Sequence, residues 1–250
     1  MLLPWQSFPV PPRPGPSPWI LVNALVILTV IVLAFVAYRR QERRRARALT
    51  AIAAGMGFQF QYKGVVGPQK ARLPLFQADR KAFAKNILFG TAPEGEVLIF
   101  HYFCPSYQVQ PTPGQPVEQS VAAFRFPGAE LPALQIRGRT FLDKVPGWVQ
   151  RLLGERYQEV TLDTNPDFRR RWVLLAKDVN AARTLLAPQA ARLSAAMPVD
   201  DWHVEASGEW LLAYRPMVLL EPRAELYREF FAQASNIASA ISRRKSSPYR

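Results

Sequence analysis

The side chains best suited to catalysis are two histidines and the chain's one cysteine. His101 and Cys104 lie three positions apart in the run EVLIFHYFC, whose apolar residues predict a β-strand. Because successive side chains of a strand point to opposite faces, an odd offset separates the imidazole from the thiol. The spacing therefore argues against a nucleophile and base pair, which must lie within hydrogen-bond reach.

The second histidine is predicted on a surface. His203 and Glu205 share one parity of a predicted hairpin strand, opposite Trp202 and Val204, and that parity predicts the solvent face. The sequence contains neither HExxH nor CxxC, so a zinc site would need mostly carboxylates, which suit structural zinc poorly. We therefore predict no metal-binding residue and no cofactor-binding residue.

Two acidic residues leave an alternative open. Glu94 and Glu96 flank Gly95 in a predicted tight turn, where solvation is the ordinary explanation for carboxylates. Paired acid catalysis by such residues is the enzymatic alternative. No recognisable catalytic motif supports it, so we name no catalytic residue and favour a protein that is not an enzyme.

Three consecutive arginines, Arg169 to Arg171, fall in a strand predicted over residues 168–176. If Phe168, Trp172 and Leu174 face the core, Arg170 shares their inward parity. A strand end or a β-bulge would resolve this. The alternative is an arginine that binds an anion or a carboxylate inside the domain.

These candidates lie in a domain that follows an apolar segment. Residues 19–38 contain no charge and only Asn23 and Thr29 as polar breaks, and twenty helical residues span the roughly 30 Å hydrocarbon core of a bilayer. Trp19 and Tyr38 bracket the segment, as interfacial aromatic residues do. A cleaved signal peptide would need a basic start, a shorter core and a small-residue cleavage site. The segment is predicted to be a single transmembrane helix.

An arginine block follows that helix and predicts its orientation. Only Arg13 precedes the span, and cationic residues near a span stay on the cytoplasmic side. We therefore predict a protein of the plasma (inner) membrane, with its N-terminus outside and its C-terminal domain in the cytoplasm. The block is also a candidate lipid-facing basic collar, consisting of Arg39, Arg40, Arg43, Arg44, Arg45 and Arg47.

The net charge of +13 is concentrated near the ends of the chain. Residues 39–50 carry +5 and residues 243–250 carry +4, whereas residues 51–242 hold 21 basic and 18 acidic side chains. A nearly balanced domain does not imply a nucleic-acid-binding surface. We expect membrane lipid as a partner and expect no nucleic acid. An unknown protein partner is compatible with the sequence.

The patterns divide the chain into five parts. Seven prolines within residues 4–18 predict an extended or disordered leader, and the helix formers after the arginines extend a helix to Gly55. The predicted parts are the Pro-rich leader (1–18), the transmembrane helix (19–38), a basic juxtamembrane helix (39–55), a cytoplasmic α+β domain (56–242) and a basic tail (243–250).

Within the domain, alternating and continuous apolar runs predict a largely antiparallel sheet of seven to nine strands. Helices are predicted over 140–156, after an Asp178 N-cap and from Pro188, with residues 63–74 as a loop. A C-terminal amphipathic helix over 223–242 closes the domain, since its apolar residues recur three or four apart. The predicted fold class is α+β.

The order of these motifs resembles a group of uncharacterised bacterial single-pass membrane-anchored proteins. The resemblance covers most of residues 39–241 and includes an NxLxG strand at 86–90, GEVLIF at 95–100, SVAAF, LPALQIRG, DFRRRWVLLAKD and WHVEASGEWLLAYR. In that group an acidic residue stands at the position of His101. The resemblance implies the architecture and no catalytic residue.

We therefore favour a membrane-anchored cytoplasmic domain with a binding or scaffolding role. The alternatives are a ligand-sensing domain with a pocket between sheet and helices, and a hydrolase with an unfamiliar carboxylate site. A buried cavity with convergent polar groups would favour the alternatives. A filled core with an apolar surface patch would favour the first.

Overall fold

The structure, a computed structural model, describes residues 18–71, 73–77, 81–93, 95–105, 116–139, 157–162, 165–197 and 199–242. The predicted helix at 140–156, Glu94, the tail at 243–250 and all but the last residue of the leader lie outside these ranges. The chain divides after Arg45 into two compact units.

The first unit contains most of helix α1 (Pro18–Gly55). Its apolar side chains are exposed around the helix, and the most apolar 18-residue window has no buried residue. The Thr29 hydroxyl donates to the Leu25 carbonyl (2.8 Å), so this polar break is satisfied within the helix. By length and composition α1 can cross a membrane.

The second unit, Ala46–Arg250, is built on a nine-stranded sheet in which every described pairing is antiparallel. The strand order is β1-β2-β3-β4-β9-β8-β5-β7-β6. The strands are β1 (Gln59–Gly64), β2 (Phe83–Ala92), β3 (Gly95–Cys104), β4 (Val117–Arg125), β5 (Leu131–Gly138), β6 (Gln158–Glu159), β7 (Trp172–Ala176), β8 (His203–Gly208) and β9 (Trp210–Tyr214).

Within the described ranges, this unit contains six helices besides the end of α1. They are α2 (Gly67–Lys70), α3 (Pro74–Gln77), α4 (Pro166–Arg171), α5 (Val179–Leu186), α6 (Ala190–Ala196) and α7 (Ala224–Ser242), with a 3₁₀ turn at Ala187–Gln189 between α5 and α6. The α+β class, the antiparallel sheet and the closing helix are as predicted. The Asp178 N-cap is confirmed, since its carboxylate accepts from the Ala181 amide at 2.9 Å.

Apolar side chains cover both faces of the sheet. On the first face, the end of α1 and helices α5 to α7 pack in one core that includes Val97 and Ile99 of β3. On the second face, Val66, Leu73 and Leu75 pack against the other parity of β3. Apolar residues at both parities of β3 require cover on both faces, and the structure provides it.

The cover of the second face comes from a segment predicted as a loop. Residues 63–74 contain the end of β1, all of α2 and the start of α3. The glycines and prolines there predicted irregular backbone correctly in part. They gave no sign that Leu73 and Leu75 are buried.

Candidate functional site

His101 and Cys104 lie on opposite faces of β3, as their spacing predicted. Cys104 is buried in the core of the second face with Phe100 and Tyr102. His101 is buried as well, but on the first face. The structure does not bring the two side chains together.

A buried polar chain instead links His101 to a neighbouring strand and to α7. Asn86 Nδ2 donates to His101 Nδ1 (3.1 Å), so the neutral ring carries its proton on Nε2. That nitrogen lies 2.7 Å from the Tyr227 hydroxyl. The three groups join β2, β3 and α7, and their burial is typical of a network that fixes packing rather than one that meets a substrate.

The backbone at Asn86 explains part of the NxLxG pattern. Asn86 has φ +53°, in the left-handed region that asparagine tolerates better than most residues. The β2–β3 register shifts between Lys85 and Leu88, so Asn86 lies in a bulge. A Cβ at Gly90 would lie 2.3 Å from the Phe58 ring. Both motif positions therefore have structural roles.

Glu205 lies in a second buried network. Its carboxylate accepts from the Leu75 amide (2.9 Å) and from the Tyr214 hydroxyl (2.7 Å). The Tyr102 hydroxyl donates to the Leu75 carbonyl (2.6 Å), so the same residue is held at both backbone groups. This network anchors the α2–α3 segment to the second face of the sheet.

The predicted solvent face of the β8–β9 hairpin is therefore wrong. Glu205 is buried and His203 is partly buried, because the α2–α3 segment and Tyr214 cover this parity. The pKa of His203 is lowered from its ordinary 6.5 to about 4, chiefly by burial and then by the charge of Arg137, against an opposing effect of Asp201. His203 is therefore neutral near pH 7.

The strand predicted over 168–176 is wrong in its first four residues. Asn165 caps helix α4, accepting from the Phe168 amide (3.0 Å), and Pro166 opens the helix. The strand begins only at Trp172. Arg170 is exposed and paired with Asp167 three residues earlier (3.3 Å), so no arginine of the run points into the core through strand parity.

Two of these arginines line an open cleft of about 590 Å³ whose other walls come from the region after β5 and from β6. Arg139 donates to the Arg169 carbonyl (3.1 Å) and to Glu159 (3.0 Å), so its guanidinium is held in place. The lining residues are Arg139, Glu159, Leu162, Pro166, Arg169 and Arg170. The cleft can accept an anionic group.

A second open cleft, of about 500 Å³, borders Trp210 and Arg125. Arg125 donates to Glu209 (3.0 Å) and to Glu96 (3.1 Å). A hydrogen bond from the Gly128 amide and then one from Arg125 lower the pKa of Glu209. Glu96, next to the β2–β3 turn, is thus ion-paired with Arg125 of β4, and this pairing gives it a structural role.

The candidate lipid-facing residues Arg39, Arg40, Arg43, Arg44, Arg45 and Arg47 all lie on α1. Arg39, Arg40, Arg43, Arg44 and Arg47 are exposed, and Arg45 is partly buried. The Arg39 guanidinium lies 5.0 Å from the centre of the Phe35 ring, a cation-π contact. No lipid is present, so contact with lipid stays a prediction.

A surface cluster that sequence reasoning missed lies at one end of the sheet. We call it the sheet-end patch: Tyr62, Lys63, Val65, Phe83 and Phe103. Phe83 and Phe103 are directly opposed on β2 and β3, with ring centres 5.1 Å apart. The alternation of aromatic with polar residues in QFQYKG, in which Lys63 follows Tyr62, and the Phe83 ring at the start of β2 were the signals in the sequence.

Among the described residues, no group of three His, Cys, Asp or Glu side chains is placed to hold a metal ion. Within the same part of the chain, each buried polar network is hydrogen-bonded among its own members, although Asn86 Oδ1 accepts no hydrogen bond, and the two clefts are open to solvent. The described geometry therefore consists of two buried structural networks and two open, partly charged clefts.

No protein-family model matches the sequence, and a search of curated proteins found no match. A solved structure does match, the crystal structure of the mycobacterial trehalose monomycolate transport factor A. It is 14% identical, with a TM-score of 0.53, over 80% of this chain and 96% of that chain. At this identity the likeness shows a shared fold.

Proposed function

We propose that this chain is a single-pass membrane-anchored protein whose second unit is a cytoplasmic binding or scaffolding domain. The observation that carries the proposal is helix α1, whose apolar side chains are exposed around the helix and find no described partner in the protein. Burying such a surface in lipid recovers about 25 cal/mol for each Å² removed from water. The span is residues 19–38.

The arginine distribution supports a cytoplasmic domain at the inner membrane. Six arginines follow the span within nine residues, and one precedes it within residues 1–18. Retention of cationic residues on the cytoplasmic side then directs the N-terminus outward. In this orientation the basic collar faces the anionic lipid headgroups of the inner leaflet.

The packing of the second unit supports binding over catalysis. Each buried polar network has its partners inside the fold, as with Glu205 between Leu75 and Tyr214. Catalytic groups need to reach a reacting atom, and these described groups are closed off by packing. The fold neighbour is named as a transport factor, and we extend the proposal to a part in a membrane-associated transport process.

Ligand sensing is the second candidate, supported by the cleft next to α4. Arg139 is held by Glu159 and by the Arg169 carbonyl, which preorganises its guanidinium for a planar carboxylate or phosphate. Arg169 and Arg170 add positive charge to the same cleft. If the domain senses a ligand, that ligand is a small anion.

Two measurements test the proposal. The protein should remain in the membrane fraction after alkaline carbonate extraction, and a reporter that is active only in the cytoplasm should work when fused after Arg250. Extraction into the soluble fraction, or labelling of the C-terminus from outside intact cells, would contradict it. Crosslinking in native membranes followed by purification then separates the two candidates, because a scaffold retains a protein partner and a sensor retains a small anion.

A further inference from the structure

The sheet-end patch exposes large apolar side chains in the second unit. Val65 is 77% exposed, Tyr62 43% and Phe83 37%. Most side chains of this size in the unit are buried, since both faces of the sheet are covered. A cluster of exposed apolar side chains at one place marks an interaction surface more often than scattered ones do.

Lysines accompany these rings. Lys63 Nζ lies 5.8 Å from the centre of the Tyr62 ring and 5.7 Å from that of Phe83. Lys85 Nζ lies 5.7 Å from the Phe103 ring, but it is also paired with Glu118 at 2.9 Å. Aromatic rings with an apolar body, next to a cation such as Lys63, are the side chains that favour the lipid headgroup region.

The β2–β3 register places the Phe83 and Phe103 rings one row beyond the His101 row, which Tyr227 covers. Lys85 opposes His101, which Tyr227 of α7 covers, and Phe83 opposes Phe103 in the next row on the same face. Helix α7 begins at Ala224, only three residues before Tyr227. On this next row the Phe83 ring is 37% exposed.

The path of the chain places the patch at the end of the second unit where the chain enters it. Residues 46–55 form the last turns of α1, and Leu49 and Ala53 are buried in the first core with Phe58. The Phe58 amide donates to the Ala53 carbonyl (2.8 Å), and Gly57 has φ +73°, a tight helix end that reverses the chain.

Since Leu49 and Ala53 pack in the core on the first face of the sheet and only residues 56–58 lie between α1 and β1, β1 must run back along the helix. A six-residue strand covers about 20 Å and ten helical residues about 15 Å. The far end of β1, with Lys63, therefore returns to the level of Ala46. Phe83 and Phe103 lie at the same end, because Lys63 opposes Lys85 two residues from Phe83.

The predicted span is close along the chain. Tyr38 precedes Ala46 by eight residues, and eight residues reach at most about 29 Å even when fully extended. A membrane surface is therefore always within reach of this end of the unit.

We propose that the sheet-end patch rests on the anionic membrane surface, with Phe83, Tyr62 and Val65 among the headgroups and Lys63 beside lipid phosphates. This inference relies on the proposed membrane anchoring. Charge favours lipid over a second copy of the chain, because a symmetric pairing would bring two positively charged patches together. Among the described side chains, no carboxylate pairs with Lys63 to neutralise it.

The test uses the full chain reconstituted in vesicles of phosphatidylglycerol and phosphatidylcholine. A fluorescent probe is attached to Val65→Cys or, as the matched control, to Thr91→Cys, an exposed position at the other end of β2. Cys104 is buried, and the unsubstituted chain measures its background labelling. Lipids with a nitroxide on the headgroup quench any probe that lies at the membrane surface.

We expect quenching at position 65 and little at position 91, and a stronger effect in anionic than in neutral vesicles. Equal quenching at the two positions overturns the inference. Probe self-quenching at position 65 without lipid quenching also overturns it and identifies a second copy as the occupant. In each case the carbonate extraction reports separately on the anchoring, so loss of the patch contact leaves the proposed function standing.

A charge variant supplies an independent readout. Lys63→Glu should lower the fraction of probes in contact with lipid by about fivefold or more, the factor expected for one cation near an anionic surface. Lys70→Glu makes the same charge change at another exposed position and should leave the quenching unchanged. Equal effects of the two substitutions would show that total charge, and not the patch, governs the contact.

Discussion

His101 Nε2 lies 2.7 Å from the Tyr227 hydroxyl, although 126 positions separate the two residues in the sequence. The bond joins a central strand to the closing helix inside a core that consists mainly of apolar side chains. Since Asn86 supplies the other ring nitrogen with a donor, the imidazole is held at both ends. Histidine is a residue type best known for catalysis, but His101 serves here to hold α7 against the sheet.

Tyr227→Phe should therefore destabilise the domain. The substitution keeps the ring and removes the hydroxyl, and losing a partner of a buried polar group costs about 1–3 kcal/mol. Urea unfolding of the detergent-solubilised protein measures the loss. Tyr62→Phe is the control, because Tyr62 is exposed and water replaces the bonds of its hydroxyl. Equal stability of the two variants would contradict a stabilising role for the His101 contact.

Glu205→Ala should cost more than Glu205→Gln. Alanine removes both acceptors, leaving the Leu75 amide and the Tyr214 hydroxyl without them, whereas glutamine keeps one carbonyl oxygen. Hydrogen bonds to a charged acceptor contribute about 1.5–3 kcal/mol each. The same unfolding measurement gives both values, with Glu130→Ala at an exposed position expected to change stability by less than about 0.5 kcal/mol. A neutral Glu205→Ala would contradict the network.

Stability should fall as the pH drops from about 6.5 to about 4, and His203 should account for part of the fall. The unfolded chain binds a proton at the ordinary pKa of 6.5, while the folded pKa is about 4. Folding is thus opposed by protonation between these values, by at most about 3 kcal/mol. Above pH 6.5 both states are neutral at this residue and the contribution is constant.

His203→Gln tests this linkage, because glutamine does not titrate. Subtracting the variant's pH dependence of unfolding free energy from that of the original chain isolates the histidine from the carboxylates. The difference should change between pH 6.5 and 4 and be flat from pH 7 to 8. A flat difference across the whole range would mean that His203 is solvated when folded.

The basic collar should control the orientation of the protein in the membrane, and the effect should grow with the number of arginines replaced. Replacing Arg43, Arg44, Arg45 and Arg47 by Gln leaves Arg39 and Arg40 next to the span, so we expect the C-terminus to stay in the cytoplasm. Replacing all six removes the charge asymmetry and should give mixed orientation. Paired cytoplasmic and external reporters after Arg250 measure both. An unchanged orientation in the six-fold variant would show that the collar is not the topogenic signal.

Several elements could be predicted because their signals are local. The apolar run of α1, the cap at Asp178 and the spacing of α7 depend on residues within a few turns of one another. For β3, apolar residues at both parities required cover on both faces, and the structure has it. The Asn-Pro-Asp sequence before Arg169 also predicts a helix start, but the alternation of Phe168, Trp172 and Leu174 obscured it.

Which residues share a face can be read from the pattern of each strand or helix, whereas which faces are covered depends on packing between distant segments. The parity of β8 groups His203 with Glu205, but their burial comes from Leu75 and its segment, 130 positions from Glu205. In the same way, the exposure of the sheet-end patch follows from tertiary packing, since Phe83 lies one row beyond His101, which Tyr227 covers. Side-chain direction follows from local backbone geometry, whereas burial depends on contacts between distant segments that no periodicity encodes.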